Sequence, residues 1–194
     1  MPDTKEQKVE FGIKNVHYAT ITDDGKALTY GEVKALPGAT EISLDPEGSS
    51  DPFYADDTNY FNAVSNQGYT GKLNVARLTD EFRSDVLGDT IDDKGILLEH
   101  AEKQPTPIAL MFEFSGDLKA TRHVLYNVTV TRPSDGSSTK EDKITPNTQE
   151  LDFSALPDPY TQVPKAKTTQ SADPTAYAAW YESVYVSAPA VPAP

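Results

Sequence analysis

Gly68-Tyr69-Thr70-Gly71-Lys72-Leu73-Asn74-Val75-Ala76-Arg77-Leu78, followed by Thr79-Asp80-Glu81-Phe82-Arg83-Ser84-Asp85-Val86-Leu87-Gly88, decides the fold class. The first part alternates with the period of a strand and puts Tyr69, Leu73 and Val75 on one face. At Thr79 the period changes. Thr79 is placed to cap a helix, Asp80 and Glu81 occupy the first turn where the helix dipole favours acids, and Phe82 and Val86 recur at i, i+4. Gly88 suits the left-handed position that ends a helix, and Asp92-Asp93-Lys94-Gly95 reads as a turn into Ile96-Leu97-Leu98. None of these residues carries chemistry. One short helix among strands indicates a β-sandwich with a helix on its flank.

Outward toward the N-terminus, Val9, Phe11 and Ile13 alternate, and a second run over residues 15–22 follows a kink or bulge at Lys14-Asn15. Asp23-Asp24-Gly25-Lys26 is a hairpin turn returning the chain through Leu28-Thr29-Tyr30, and a further edge segment runs over residues 33–36. Between Ala35 and Gly71 there is no Lys or Arg, whereas Glu41, Asp45, Glu47, Asp51, Asp56 and Asp57 all fall there. Asp45-Pro46-Glu47-Gly48-Ser49-Ser50-Asp51-Pro52 reads as a loop, and Phe53, Tyr54, Tyr60 and Phe61 bring aromatic side chains into this acidic setting. Two readings stand: a solvated loop with aromatic anchors, or a surface that repels polyanions or packs on a neighbouring subunit. Residues 45–62 are then expected to be an extended loop that a neighbour orders.

Toward the C-terminus, Ile108-Ala109-Leu110-Met111-Phe112-Glu113-Phe114 is nearly all apolar, as in a strand buried on both faces or lying at a subunit contact. Residues 121–131 alternate, with Val124, Tyr126, Val128 and Val130 on one face and His123, Leu125, Asn127 and Thr129 on the other. Residues 132–138 form a polar loop, and Leu151-Asp152-Phe153-Ser154-Ala155 reads as the last strand. Beyond it Pro157, Pro159 and Pro164 suggest an arm. Asp173-Pro174 is a cap followed by proline at the first helical position, opening a helix to about Val186 with an aromatic stripe of Tyr177, Tyr181 and Tyr185 beside Trp180. The expected organisation is mainly β: two packed antiparallel sheets, sandwich or barrel-like, over residues 1–155. One short helix flanks them, and a C-terminal arm covers residues 156–194. The arm is expected to serve assembly and to be dispensable for folding; the alternative is that its helix packs on its own sandwich.

The chain of 194 residues is long enough for one domain with a sizeable core. Without cysteine it has neither disulfides nor thiolate chemistry. The start, Met1-Pro2-Asp3-Thr4-Lys5-Glu6-Gln7, is polar and shows no signal peptide, and no apolar run approaches a membrane span. A net charge of −13 argues against holding nucleic acid, because phosphate binding needs clustered Lys and Arg. The histidines His17, His100 and His123 are scattered, no serine sits in a Gly-x-Ser-x-Gly elbow, and the Asp-Asp pairs lack calcium-loop spacing. These observations predict no catalytic residues, no metal and no cofactor.

Several phrases taken together resemble the major tail proteins of long-tailed siphovirus phages of Gram-positive hosts. They are Val9-Glu10-Phe11-Gly12-Ile13-Lys14-Asn15-Val16-His17-Tyr18-Ala19, Leu44-Asp45-Pro46-Glu47-Gly48, Phe53-Tyr54-Ala55-Asp56-Asp57, Gly68-Tyr69-Thr70-Gly71, Asp80-Glu81-Phe82-Arg83, Val86-Leu87-Gly88 and Ala120-Thr121-Arg122-His123-Val124-Leu125-Tyr126-Asn127. They are spread in order along nearly the whole of residues 8–156, and the C-terminal aromatic run is also similar. The resemblance implies a structural virion protein, made in the host cytoplasm, whose hexameric rings stack around a tape-measure protein into a tail tube. Its partners are then further copies of itself, the tape-measure protein, a tail terminator and distal tail or baseplate proteins, with double-stranded DNA passing through the lumen without specific binding. Read from the residues themselves, the candidate subunit contacts are Phe53, Tyr54, Tyr60, Phe61, Tyr177, Trp180, Tyr181 and Tyr185, and the candidate lumen or repulsive surface is Glu41, Asp45, Glu47, Asp51, Asp56 and Asp57. The alternative reading is a secreted or surface β-sandwich adhesion module that binds glycans. A tube protein of a contractile system is a third reading.

Overall fold

The computed structural model describes residues 7–136 and 147–187. The readings made for residues 1–6, 137–138 and 188–194 lie outside them. In chain order the elements are β1 (Glu10–Asp23), β2 (Leu28–Tyr30), β3 (Lys34–Ala35), β4 (Ala39–Glu47), β5 (Ser50–Ala55), β6 (Thr58–Val64) and β7 (Gly68–Val75). Then come the one-turn helix α1 (Asp80–Phe82), which widens into a π-turn over Arg83–Leu87, and β8 (Thr90–Ile91), β9 (Leu97–Leu98), β10 (Ile108–Gly116), β11 (Thr121–Val130), β12 (Gln149–Leu156) and β13 (Lys165–Lys167). Last is α2 (Pro174–Ala178), followed by a 3₁₀ turn over Ala179–Tyr181.

The protein is mainly β and antiparallel, as its alternating runs require. One nine-stranded sheet runs β2-β1-β10-β11-β12-β7-β4, with β3 added on β1 and β13 on β11. The hydrogen-bonded path is continuous, and the sheet curls until β4 comes back beside β1. The two layers therefore are halves of one sheet facing each other. Between them lies the main core, where Val16 and Tyr18 of β1 meet Leu73 and Val75 of β7, Ile108, Leu110 and Phe112 of β10, and Leu151 and Phe153 of β12. The capped turn after β7 closes one end of this core. Thr79 accepts from the Phe82 amide, Gly88 ends the turn in the left-handed conformation at φ 75°, and Phe82, Val86 and Leu87 are fully buried. Tyr18 meets the Phe82 ring edge-on at 4.9 Å and donates to Asp85 at 3.0 Å.

Local irregularities aim the strands. β1 is one strand with register shifts between Phe11 and Ile13 and between Lys14 and His17, and Asn15 takes φ 50°. β11 departs from the face assignment expected of a regular alternation. Ile108 pairs with Val128 but Leu110 pairs with Leu125, so β11 carries one extra residue there. Side chains before and after a bulge change sides. Val128 and Val130 join the main core with Leu125, whereas Val124 and Tyr126 go to a second cluster. That cluster covers the outer face of the sheet with Ala19, Ala109, Met111, Trp180 and Val184. β10 is accordingly buried on both faces, and both coverings come from this same chain.

Candidate functional site

β4 pairs with β7 as far as Glu47 opposite Gly68, and the two strands then run on as a ribbon beyond the sheet. The Gln67 amide donates to the Glu47 carbonyl at 2.8 Å and the Ser65 amide to the Ser49 carbonyl at 3.0 Å, which joins the ribbon to the β5–β6 hairpin. At the joint the strands approach so closely that a Cβ on Gly48 would strike the Ser65 carbonyl. The tip is a two-residue turn in which Asp56 and Asp57 take φ 50° and 57°, the left-handed pair that suits the twist of a hairpin. Residues 45–62, expected to be an extended loop, are therefore mostly strand. Pro46 and Pro52 tolerate this because they lie on free strand edges, where a missing N–H breaks no ladder.

The hairpin carries four aromatic side chains into solvent. Phe53 stands opposite Phe61 across the ladder, and Tyr54 and Tyr60 flank them at a register shift. Their exposures are 61% for Phe53, 63% for Phe61, 66% for Tyr54 and 75% for Tyr60. A large aromatic side chain offers roughly 150–250 Å², so about 500 Å² of mostly apolar surface is left uncovered. A two-stranded ribbon is marginal on its own, and this one is also acidic, with Asp51, Asp56 and Asp57 all exposed.

Strand phase assembles a second feature. Ile42 and Leu44 of β4 pack on the core, so Glu41, Asp45 and Glu47 point away from it. On the same outer face the register sets Lys72 of β7 between Ser43 of β4 and Asp152 of β12, and Asn74 between Glu41 and Glu150. Lys72 Nζ lies 2.7 Å from Glu150 and 3.4 Å from Asp152, and these hydrogen bonds raise its pKa. The face thus carries Glu41, Asp45, Glu47, Glu150 and Asp152, of which Glu150 and Asp152 pair with Lys72. Glu150 and Asp152 were not singled out in the sequence, although their alternation with buried Leu151 and Phe153 was the available signal. The six acids named from sequence divide between two places: Glu41, Asp45 and Glu47 on this face, and Asp51, Asp56 and Asp57 on the hairpin.

The C-terminal aromatic residues are engaged within their own chain. β13 pairs with β11 along the edge that β12 leaves open, so Leu151–Ala155 is not the last strand. Asp173 caps α2 by accepting from the Thr175 and Ala176 amides, and the helical part ends at Tyr181 instead of near Val186. Trp180 is 4% exposed in the second core cluster, which removes it as a contact for a neighbour. Tyr177 and Tyr181 lie on the Arg122 guanidinium, 3.8 Å and 4.9 Å from their ring centres. Arg122 also donates to the Tyr177 carbonyl and, at 3.1 Å, to buried Glu113, which further accepts from Tyr181 at 3.2 Å and from Asn15 at 2.7 Å. Burial and the Glu113 carboxylate push the Tyr181 hydroxyl pKa up. Tyr185 stacks on Trp180 at 5.5 Å and keeps an exposed edge.

Among the described residues no group of three or more His, Asp or Glu could hold a metal ion. His17 stacks on Tyr181, His100 bonds Thr90, and His123 stacks on Phe112 and tilts against Phe114. No helix among the described residues is long and apolar enough to cross a membrane.

No protein-family model matches the chain, and no curated protein matches it. Among solved structures, the cryo-electron microscopy structure of the anti-feeding prophage cap, a tube-terminating cap, is similar over 87% of this chain and 99% of its own. The identity is 15% and the TM-score 0.45. A likeness at that level fixes neither fold nor role, so the functional reading is carried by the residues and geometry of this chain.

Proposed function

We propose that this protein is a structural subunit that assembles with copies of itself into a phage-type tail tube. The observation that carries the reading is the β5–β6 hairpin: a chain with a complete core still extends an acidic ribbon with four uncovered aromatic side chains. Surface of that kind belongs in an interface. The resemblance of residues 8–156 to siphovirus major tail proteins supplies the form of the assembly, stacked hexameric rings around a tape-measure protein. On this reading the outer face of β4, β7 and β12 lines the lumen. Its five carboxylates, two of them paired with Lys72, let double-stranded DNA slide past without adhering, since like charges do not bind.

The partners on this reading are other copies, the tape-measure protein, a tail terminator and distal tail proteins, and the protein resides in the virion. Exposed aromatic rings also suit stacking on sugars, which keeps a glycan-binding surface module as the second reading. Negative-stain imaging of the purified protein at high concentration separates the two. Rings or tubes are expected. Monodisperse particles that are retained on a glycan array would overturn the tube reading.

A further inference from the structure

Resting on the self-assembly reading above, we propose that the groove between the N-terminal segment and β13 is the seat into which the acidic aromatic hairpin of a second copy docks. The groove has a volume of about 440 Å³ and is lined by Lys8, Val9, Glu10, Thr121, Lys167 and the chain just after β13. Its charge is the reverse of the hairpin's. Lys8 and Lys167 are exposed, and neither ammonium has an ion-pair partner among the described residues. The acid in the groove, Glu10, already accepts from Thr121 and from Gln7. The nearby Asp117 accepts from the Lys8 amide. Against this the hairpin presents Asp51, Asp56 and Asp57, from a stretch of chain without Lys or Arg.

The apolar parts also correspond. Val9 in the groove wall is 55% exposed, and Leu118 in the adjoining turn is 51% exposed. The four hairpin aromatics leave about 500 Å² uncovered, more than half of the roughly 800 Å² per partner in a stable protein–protein interface. Hairpin and groove are different patches of one chain, so the contact is head-to-tail: each copy gives a hairpin and receives one. Contacts of that kind propagate into closed rings or open filaments, whereas a self-complementary patch stops at a dimer.

The chain has no cysteine, so engineered thiols report this contact cleanly. Asp57→Cys and Lys167→Cys are made as separate full-length proteins, mixed and oxidised. A disulfide-linked heterodimer is expected, forming at least about tenfold faster than either homodimer. In parallel, Asp56→Lys with Asp57→Lys, and Lys8→Glu with Lys167→Glu, should each abolish assembly, and mixing the two reversed proteins should restore it. If the wild-type protein forms rings or tubes while the thiol mixture shows no preferred heterodimer and the reversals leave assembly intact, this seat is wrong and the assembly reading survives. If the wild-type protein stays monomeric and no heterodimer forms, both are overturned.

Discussion

His123 is 5% exposed, stacked at 5.1 Å on Phe112 and set against Phe114, and neither of its ring nitrogens has a hydrogen-bond partner among the described residues. Burial, reinforced by Lys165 and Lys167 and opposed by Glu10, pulls its pKa from 6.5 down to about 4. The unfolded chain then binds more protons between those values. The stabilising contribution is complete above pH 6.5 and is lost as the pH falls toward 4, about 3 kcal/mol over the whole interval. Denaturant melts of wild type and His123→Phe between pH 7 and 4.5 check this: the wild type should lose more stability, and parallel profiles would refute it. A second prediction at this scale concerns Arg122, held by Glu113 and two tyrosine rings. Arg122→Met leaves Glu113 buried without its countercharge and should cost about 3–5 kcal/mol, read from the same melts.

Among the elements, the hairpin and the C-terminal segment have opposite expected responses. The hairpin's aromatics are solvent-exposed, so Phe53→Ser with Phe61→Ser should leave the melt within about 0.5 kcal/mol of wild type while removing assembly. A large drop in stability would show that the hairpin belongs to the core. Residues 157–187, by contrast, supply β13 and cover Ala19, Met111, Val124 and Tyr126. Truncation after Leu156 uncovers this face and the β11 edge, and Trp180→Ala alone should cost about 3–5 kcal/mol. The expected result is an insoluble or strongly destabilised truncated protein. A cooperative melt near the parent's would show that the segment is dispensable for folding.

At the scale of the whole molecule, the charge of −13 sets behaviour toward nucleic acid. Fluorescence polarisation should detect no binding to duplex DNA even at about 50 mM salt, where phosphate contacts are strongest. Glu150→Lys with Asp152→Lys would place three cations together on the outer face of β7 and β12, and tubes of this variant should retain duplex DNA where wild-type tubes do not. Equal behaviour of the two tubes would place that face away from the lumen.

Features that depend on a few consecutive residues were legible in the chain itself. The Thr79 cap, the left-handed Gly88, the turn after Asp23, the Asp173-Pro174 helix start and the bulge near Asn15 follow from local steric and hydrogen-bonding demands, and the burial of residues 108–113 from their nearly continuous apolar run. So does the mainly β class, because alternation by two is a property of each run alone. The tertiary structure decided what depends on partners far along the chain. Pro46 and Pro52 can sit in strands only because the sheet leaves their edges free, and Val124 and Val128 part company only because β10 imposes an extra residue on β11. Trp180 is a core residue because β1, β10 and β11 present an apolar outer face to it. The acidic face likewise joins residues 41–47 to Glu150 and Asp152, about a hundred positions apart, through ladders on β7. Strand pairing takes its energy from cross-strand neighbours that no local window contains, which is why the elements were readable from the sequence and their faces were not.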